Sequence, residues 1–236
     1  MVEKYVIPAG NRVARKLLRP IFRGLFRVLS KITITGLENV PAQGAYLIAI
    51  NHISLYEAPF VVAFWPQEPE AVGAVDIWSR AGQSTLVRLY GGIQVHRGKF
   101  DRKVVDTMLM VLKDGRPLLI APEGGRSHKP GLRRAFPGVA YFMDKARVPV
   151  VPVGIVGSTD DFLKRALHAE RPVLEMHIGA PLYLPPANGT VEEKRLARQQ
   201  NADLVMAHIA TLLPEDYRGV YANHPIVKQK SLEDSH

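Results

Sequence analysis

Short apolar segments alternate with helix-like segments through the middle of this sequence, and this alternation restricts its fold more than any other feature. Aliphatic and β-branched runs occur at 32–35, 45–50, 71–77, 93–97, 117–121, 148–156 and 173–178. Helical patterns occur at 58–65, 82–90, 99–112, 136–147 and 192–213. Parallel strands need such crossover connections, so the sequence predicts one α/β domain with a central, largely parallel sheet flanked by helices.

Residues 1–31 carry much of the chain's excess positive charge. The formal net charge is +9, and no acidic residue lies between Lys4 and Glu38. On a helix, a basic series at every fourth position and an apolar series two residues out of phase lie on opposite sides. The basic series is Arg15, Arg19, Arg23, Arg27 and Lys31, and the apolar series is Val13, Leu17, Ile21, Leu25 and Leu29.

This amphipathic pattern predicts an N-terminal helical arm that binds an anionic membrane surface. The predicted membrane-binding residues are Arg15, Arg19, Phe22, Arg23, Phe26 and Arg27. The alternative is a helix that packs its apolar face on the domain and leaves its charges in solvent. Nucleic acid is not predicted as a partner, because the sequence has no helix-turn-helix, RNP or zinc signature.

Composition sets further limits. The chain has no cysteine, which excludes disulfides, cysteine-ligated zinc and a thiol nucleophile. No uninterrupted run approaches the ~20 apolar residues of a membrane span, and no secretory signal is evident. The expected organisation is therefore a membrane-associating arm (1–31), an α/β domain (32–213) and a C-terminal tail (214–236).

A polar segment from Asn51 to Glu57 follows the apolar run that ends at Ile50. Asparagine and histidine are poor strand formers, so His52 is expected at a strand end, where active sites collect. If Glu57 begins the next helix, its carboxylate can orient the imidazole as a general base for a hydroxyl group. Taken alone, the pair also fits a surface or helix-capping histidine.

Two further strand ends carry cationic side chains. Arg97 ends one strand, and Glu123, Gly124, Gly125 and Arg126 follow another. Guanidinium groups match phosphate oxygens bidentately, and a glycine pair lets backbone N–H groups approach an anion. Each feature alone is common on a protein surface, but together they predict a site for a phosphate-bearing substrate.

Four ordered motifs resemble those of the glycerolipid acyltransferase family, whose best-known members acylate lysophosphatidic acid. Asn51, His52 and Glu57 match the first motif, Asn-His followed by four residues and an aspartate. Gly91 and Arg97 match the second, and residues 121–127 match the third, Phe-Pro-Glu-Gly-Thr-Arg-Ser. Residues 148–152 match the fourth, Val-Pro-aliphatic-aliphatic-Pro.

The resemblance implies acyl transfer from acyl-CoA or acyl carrier protein to the hydroxyl of a lyso-glycerophospholipid. The acceptor expected first is 1-acylglycerol-3-phosphate, whose acylation gives phosphatidic acid. His52 would be the general base and Glu57 its partner, while Arg97 and Arg126 hold the phosphate and Glu123 positions acceptor hydroxyls. Gly124, Gly125 and Ser127 complete the predicted substrate site. No metal or cofactor is implied, and the enzyme is expected at the cytoplasmic side of the cell membrane as a peripheral protein.

The sequence departs from the family pattern at four positions. Glu57 replaces aspartate, His96 an acidic residue, Gly125 a threonine and Pro137 a lysine. The base is retained while the acceptor-side residues vary. Two alternatives therefore stay open: another lyso-lipid acceptor, such as an aminolipid or glycolipid, and a non-catalytic lipid-binding homologue.

Overall fold

Seven strands form one sheet in the computed structural model, which describes residues 4–99 and 101–233. They are β1 (Lys31–Thr35), β2 (Leu47–Ile50), β3 (Glu70–Ala74), β4 (Ile93–Val95), β5 (Leu118–Ile120), β6 (Val150–Val156) and β7 (Val173–Ile178). Their order is β1-β7-β6-β2-β5-β3-β4, and each described neighbouring pair is parallel except β6 with β7. The predicted α/β class with a largely parallel sheet is confirmed.

Helices cover both faces of this sheet. They are α1 (Ala9–Leu29), α2 (Glu57–Phe64), α3 (Gln83–Tyr90), α4 (Arg102–Lys113), α5 (Gly138–Ala146), α6 (Phe162–Leu167), α7 (Val191–Thr211) and α8 (Pro225–Glu233). Alternate residues of β2 divide the core, as expected for a strand buried on both faces. Leu47 and Ala49 pack with α4, α5 and α7, whereas Ile48 and Ile50 pack with α2, α6 and Phe26 of α1.

The segment after Pro214, which was predicted to be a tail, folds back onto the domain as far as it is described. Tyr217, Tyr221 and Val227 are buried in the core beneath α7. The Tyr221 hydroxyl donates a 2.6 Å hydrogen bond to Asp203 of α7. Residues 1–3, 100 and 234–236, which belong to the predicted arm, the predicted 99–112 helix and the predicted tail, lie outside the described residues.

Helix α1 turns its basic side towards the domain. Arg15 is fully buried, and its guanidinium group donates to both carboxylate oxygens of Glu70 at 2.7 and 2.6 Å and to the Tyr90 carbonyl at 2.7 Å. Arg19 and Arg23 donate to the carbonyl groups of the last turn of α2, which have no partner within that helix. The basic side of α1 thus binds carbonyls and a carboxylate that burial would otherwise leave unpaired.

Several predicted membrane-binding residues are therefore not available to a membrane. The prediction is wrong for Arg15, which is buried on Glu70, and for Phe26, which packs in the core against Phe60 and Phe162. Arg19 and Arg23 are engaged with α2, and Phe22 is partly buried. Only Arg27 of the predicted set is exposed.

The apolar side of α1 is the exposed one. Its large hydrophobic side chains are 47–71% accessible, a set formed by Val13, Leu17, Ile21, Leu25 and Val28, which we call the α1 stripe. A contiguous row of exposed aliphatic side chains is unusual on a surface that faces only water. Among the helices described, none combines the length and the apolar character needed to cross a bilayer.

Candidate active site

His52 and Glu57 meet where β2 ends and α2 begins. His52 lies two residues beyond β2, and Glu57 is the first residue of α2. The imidazole Nδ1 lies 3.2 Å from Glu57 Oε2. The intervening turn brings together two side chains that a regular helix would separate by about 140°. The predicted pairing of these two side chains is present.

The Glu57 carboxylate is fully buried and held by several donors. Its Oε1 accepts hydrogen bonds from the backbone N–H groups of Ile53 (3.1 Å) and Ser54 (2.8 Å) and from the Ser158 hydroxyl (2.6 Å). These bonds leave Oε2 directed at His52. When Nδ1 carries the proton and donates to Glu57, Nε2 presents a lone pair. Nε2 has no hydrogen-bond partner among residues 4–99 and 101–233.

The loop after β5 fixes the backbone of His52. The Ser127 N–H donates to the His52 carbonyl at 2.9 Å, and the Ser127 hydroxyl donates to the Lys129 carbonyl. Gly124 adopts a φ of 66°, and a Cβ at this position would stand 2.7 Å from the Phe136 ring. Glycine is therefore required here for both its backbone conformation and its lack of a side chain. Ser127 acts on the loop rather than on the cavity.

Glu123 has a different position from the one predicted. Its side chain is 1% exposed, and its two carboxylate oxygens accept from the N–H groups of His52 (2.9 Å) and Arg133 (3.0 Å). Burial raises the pKa of this carboxyl group, although the two backbone donors oppose the shift. Glu123 does not line the cavity, so the prediction that it contacts acceptor hydroxyls is wrong. Its carboxylate instead anchors the backbone at His52 and at Arg133.

A cavity of about 630 Å³ joins the remaining site residues. His52, Arg97, Gly124 and Arg126 all line it, so the base and both predicted phosphate-binding arginines share one cleft. Much of its lining is apolar and includes Ile77, Trp78, Leu86, Val87, Val104, Val105, Met108, Val139 and Phe142. Leu18, Arg19 and Phe22 of α1 also line the cavity, so one side of α1 is part of its wall.

Two contributors to this site were not predicted from the sequence. Ser158 follows β6, and the rule that strand ends collect functional residues could have indicated it. Arg133 lies beyond the matched third motif, and no local pattern distinguishes it from its neighbour Arg134. Asn51, in contrast, was part of the first motif; its amide exchanges hydrogen bonds with Ile155 at 2.8 and 2.7 Å and joins β2 to β6.

Comparison with known proteins agrees with this geometry. The sequence model described as Acyltransferase matches residues 31–156, which is more than half of the chain. The chain therefore belongs to the acyltransferase family. The predicted membership in the glycerolipid acyltransferase family is confirmed, and the chain is an O-acyltransferase.

Two relatives refine the comparison. The chain is 28% identical over 205 residues to the lyso-ornithine lipid O-acyltransferase of Pseudomonas aeruginosa, an alignment that covers 80% of this chain and 76% of that protein. It is also similar to the crystal structure of the 1-acyl-sn-glycerophosphate acyltransferase PlsC from Thermotoga maritima, with a TM-score of 0.59 and 19% identity. That match covers 81% of this chain and 78% of PlsC, and it shows a shared fold.

Proposed function

We propose that this protein transfers an acyl group from a thioester carrier to a hydroxyl group of a lyso-lipid, with His52 as the general base. One observation carries the proposal. The His52 imidazole is held by the buried Glu57 carboxylate through Nδ1 and lines a cavity that also contains Arg97 and Arg126. A base, anion-binding groups and an apolar wall are what this transfer needs.

The reaction can be written with these residues alone. The acceptor hydroxyl gives its proton to His52 Nε2 while its oxygen attacks the thioester carbonyl carbon, and Glu57 stabilises the resulting imidazolium. The tetrahedral intermediate then collapses, the C–S bond breaks, and the imidazolium returns the proton to the departing sulfur. The thioester is already activated, so positioning and one proton transfer supply the catalysis.

The acceptor that we propose first is 1-acylglycerol-3-phosphate. Arg97 and Arg126 form no ion pair with a carboxylate in the described part of the chain, which leaves both guanidinium groups for a phosphate. Their position beside His52 would hold the phosphate end of the acceptor while the glycerol hydroxyl reaches the imidazole. The apolar wall suits an acyl chain, with each buried methylene contributing about 0.8 kcal/mol.

A lyso-aminolipid is a second candidate acceptor. The supporting observation is the 28% identity to a protein named lyso-ornithine lipid O-acyltransferase. The carboxylate of an amino-acid headgroup can accept from the same guanidinium groups as a phosphate. The departures from the family pattern at Gly125 and Pro137 are adjacent in sequence to the cavity-lining residues Gly124, Arg126 and Gly138.

An acceptor panel tests the proposal directly. The purified protein is incubated with labelled acyl-CoA, and separately with labelled acyl carrier protein, in the presence of single lyso-lipids. The panel contains 1-acylglycerol-3-phosphate, lyso-ornithine lipid, lysophosphatidylcholine and a lyso-glycolipid. We expect the highest kcat/KM for 1-acylglycerol-3-phosphate. Transfer to lyso-ornithine lipid alone would select the second candidate, and the absence of transfer to every acceptor would reject the enzymatic proposal.

We also propose that the α1 stripe contacts the membrane, with the protein bound peripherally on the side where acyl-CoA and acyl carrier protein are found, the cytoplasmic side. The stripe presents aliphatic side chains, and exposed Arg12, Lys16 and Arg27 flank it with positive charge. Leu18 and Phe22 continue from this helix into the cavity wall. A lipid acceptor could therefore pass from the bilayer surface into the cavity along α1.

The stripe predicts a specific loss of vesicle binding. Replacing Leu17, Ile21 and Leu25 together by serine should lower partitioning onto vesicles at least about 10-fold, because each side chain loses apolar area on insertion. Cosedimentation with vesicles that contain anionic phospholipid measures the effect. The matched control is Val191→Ser with Leu196→Ser, two exposed positions on α7. Equal sedimentation of the triple variant and the control would reject membrane contact through the stripe.

A further inference from the structure

Two arginine side chains, those of Arg97 and Arg133, approach Gly125, and Arg126 follows it in the chain. A Cβ at this glycine would lie 3.7 Å from Arg133 Nη1 and 3.9 Å from Arg97 Cζ. Arg133 is held in place by two hydrogen bonds: its Nη1 donates to the Arg126 carbonyl at 3.1 Å, and its backbone N–H donates to Glu123 at 3.0 Å. Arg97 and Arg126 line the cavity beside His52, whereas Gly125 and Arg133 are next to the lining residues rather than among them. The point above Gly125 is thus within reach of two guanidinium groups from different parts of the chain.

Arg97, Arg126 and Arg133 form no ion pair with a carboxylate in the part of the chain that the structure describes. The nearest carboxylate, Glu123, is buried with both oxygens bonded to backbone N–H groups. Asp101, which also lines the cavity, caps α4 through the N–H groups of Lys103 and Val104. Adjacent Arg134, in contrast, lies 3.9 Å from Asp203. Like charges placed together without a partner create a positive field that an anion would neutralise.

The cluster coincides with two departures from the family pattern that the motifs resemble. The family threonine at position 125 is glycine here, so no γ atoms occupy the space between Arg97 and Arg133. The family lysine at position 137 is proline, so one cation of the usual set is missing. Arg133 supplies a cation from the same loop, and its rigid fork can donate two parallel hydrogen bonds where an ammonium acts as a point charge.

We propose that Arg133 is an acceptor-binding residue that, with Arg97 and Arg126, binds the anionic headgroup and favours a phosphate monoester. This inference rests on the proposed function and names a specificity-determining residue of the same site. A phosphate monoester offers three terminal oxygens and carries close to two negative charges, whereas a carboxylate offers two oxygens and one charge. Three guanidinium groups therefore suit the phosphate better, and the third contributes most to discrimination between the two acceptors.

The test compares Arg133→Gln with Arg134→Gln, two neighbouring variants that remove the same charge. Arg133→Gln should raise the KM for 1-acylglycerol-3-phosphate by about 10-fold or more, the scale of a lost charge-assisted hydrogen bond. The KM for the thioester donor and kcat should stay within about twofold, because the proposal assigns Arg133 to the acceptor headgroup and not to the proton transfer. Arg133→Lys should give an intermediate KM. Arg134→Gln should leave both KM values unchanged.

Two further measurements make the result independent of turnover. Calorimetric titration of 1-acylglycerol-3-phosphate into the protein without donor should show the same loss of affinity for Arg133→Gln and for Gly125→Thr. Thermal melting verifies that both variants are folded. If no lyso-lipid is acylated by the natural chain, the proposed function fails, but the titration still decides the role of Arg133. Equal affinity of Arg133→Gln and Arg134→Gln, or no binding by the natural chain, would overturn the inference.

Discussion

Replacing His52 by alanine should lower kcat by at least about 100-fold, the usual scale for a general base. The variant keeps Arg97 and Arg126, so the acceptor should still bind and its KM should change little. Initial rates at saturating thioester and acceptor measure the effect. The expected loss falls on kcat because proton transfer from the acceptor hydroxyl occurs in the transition state and contributes nothing to binding of the ground state.

The structure indicates that this variant should fold. The Glu57 carboxylate keeps its donors from Ile53, Ser54 and Ser158 when the imidazole is removed, so the buried charge remains hydrogen-bonded. The matched control is His168→Ala, an exposed histidine at the end of α6 whose ring is within hydrogen-bonding distance of the Lys164 carbonyl. This control should retain full activity. A His52→Ala protein with more than about a tenth of the natural activity would exclude the general-base role.

The sheet could be predicted from the sequence because each buried strand is a local pattern. Runs such as 45–50 and 148–156 are apolar at consecutive positions, as strands buried on both faces must be, and every predicted run became a strand. The His52 site followed from the same information, since the parallel order places several strand ends at one edge. The antiparallel pairing of β7 with β6 and the short helix α6 could not be derived, because neither depends on a periodic pattern.

The orientation of α1 depends on partners that are distant in the sequence. Periodicity separates a basic from an apolar side, but it does not say which side faces the protein. That choice follows from the unpaired carbonyls at the end of α2 and from Glu70, which lie about 40 to 55 positions away from their arginines. Glu123 is a similar case. Its motif predicted a contact with the acceptor, but the carboxylate is buried and accepts hydrogen bonds from the backbone of His52 and Arg133, so it positions the backbone.

Glu70→Gln should be strongly destabilising because Glu70 holds a buried network together. Its carboxylate accepts from Arg15, Arg116 and the Tyr5 hydroxyl, and both Arg15 and Glu70 are fully buried. Removing one partner of a buried ion pair costs about 3–5 kcal/mol, since the other charge is left uncompensated. For a chain of this size the melting temperature should fall by about 10 °C. Calorimetry or circular dichroism measures it, with Glu68→Gln as the control on a partly exposed carboxylate.

The same network predicts a pH dependence. Burial alone would raise the pKa of Glu70, but the guanidinium groups of Arg15 and Arg116 outweigh burial and hold the pKa below its usual value. The ionised form therefore stabilises the fold above the unfolded pKa of about 4.3, and this stabilisation is lost as the pH falls through the lower folded pKa. Acidification below about pH 4 should thus lower the melting temperature of the natural chain more steeply than that of Glu70→Gln. If the melting temperatures of the two proteins fell in parallel as the pH is lowered, Glu70 would not couple α1 to the sheet through its charge.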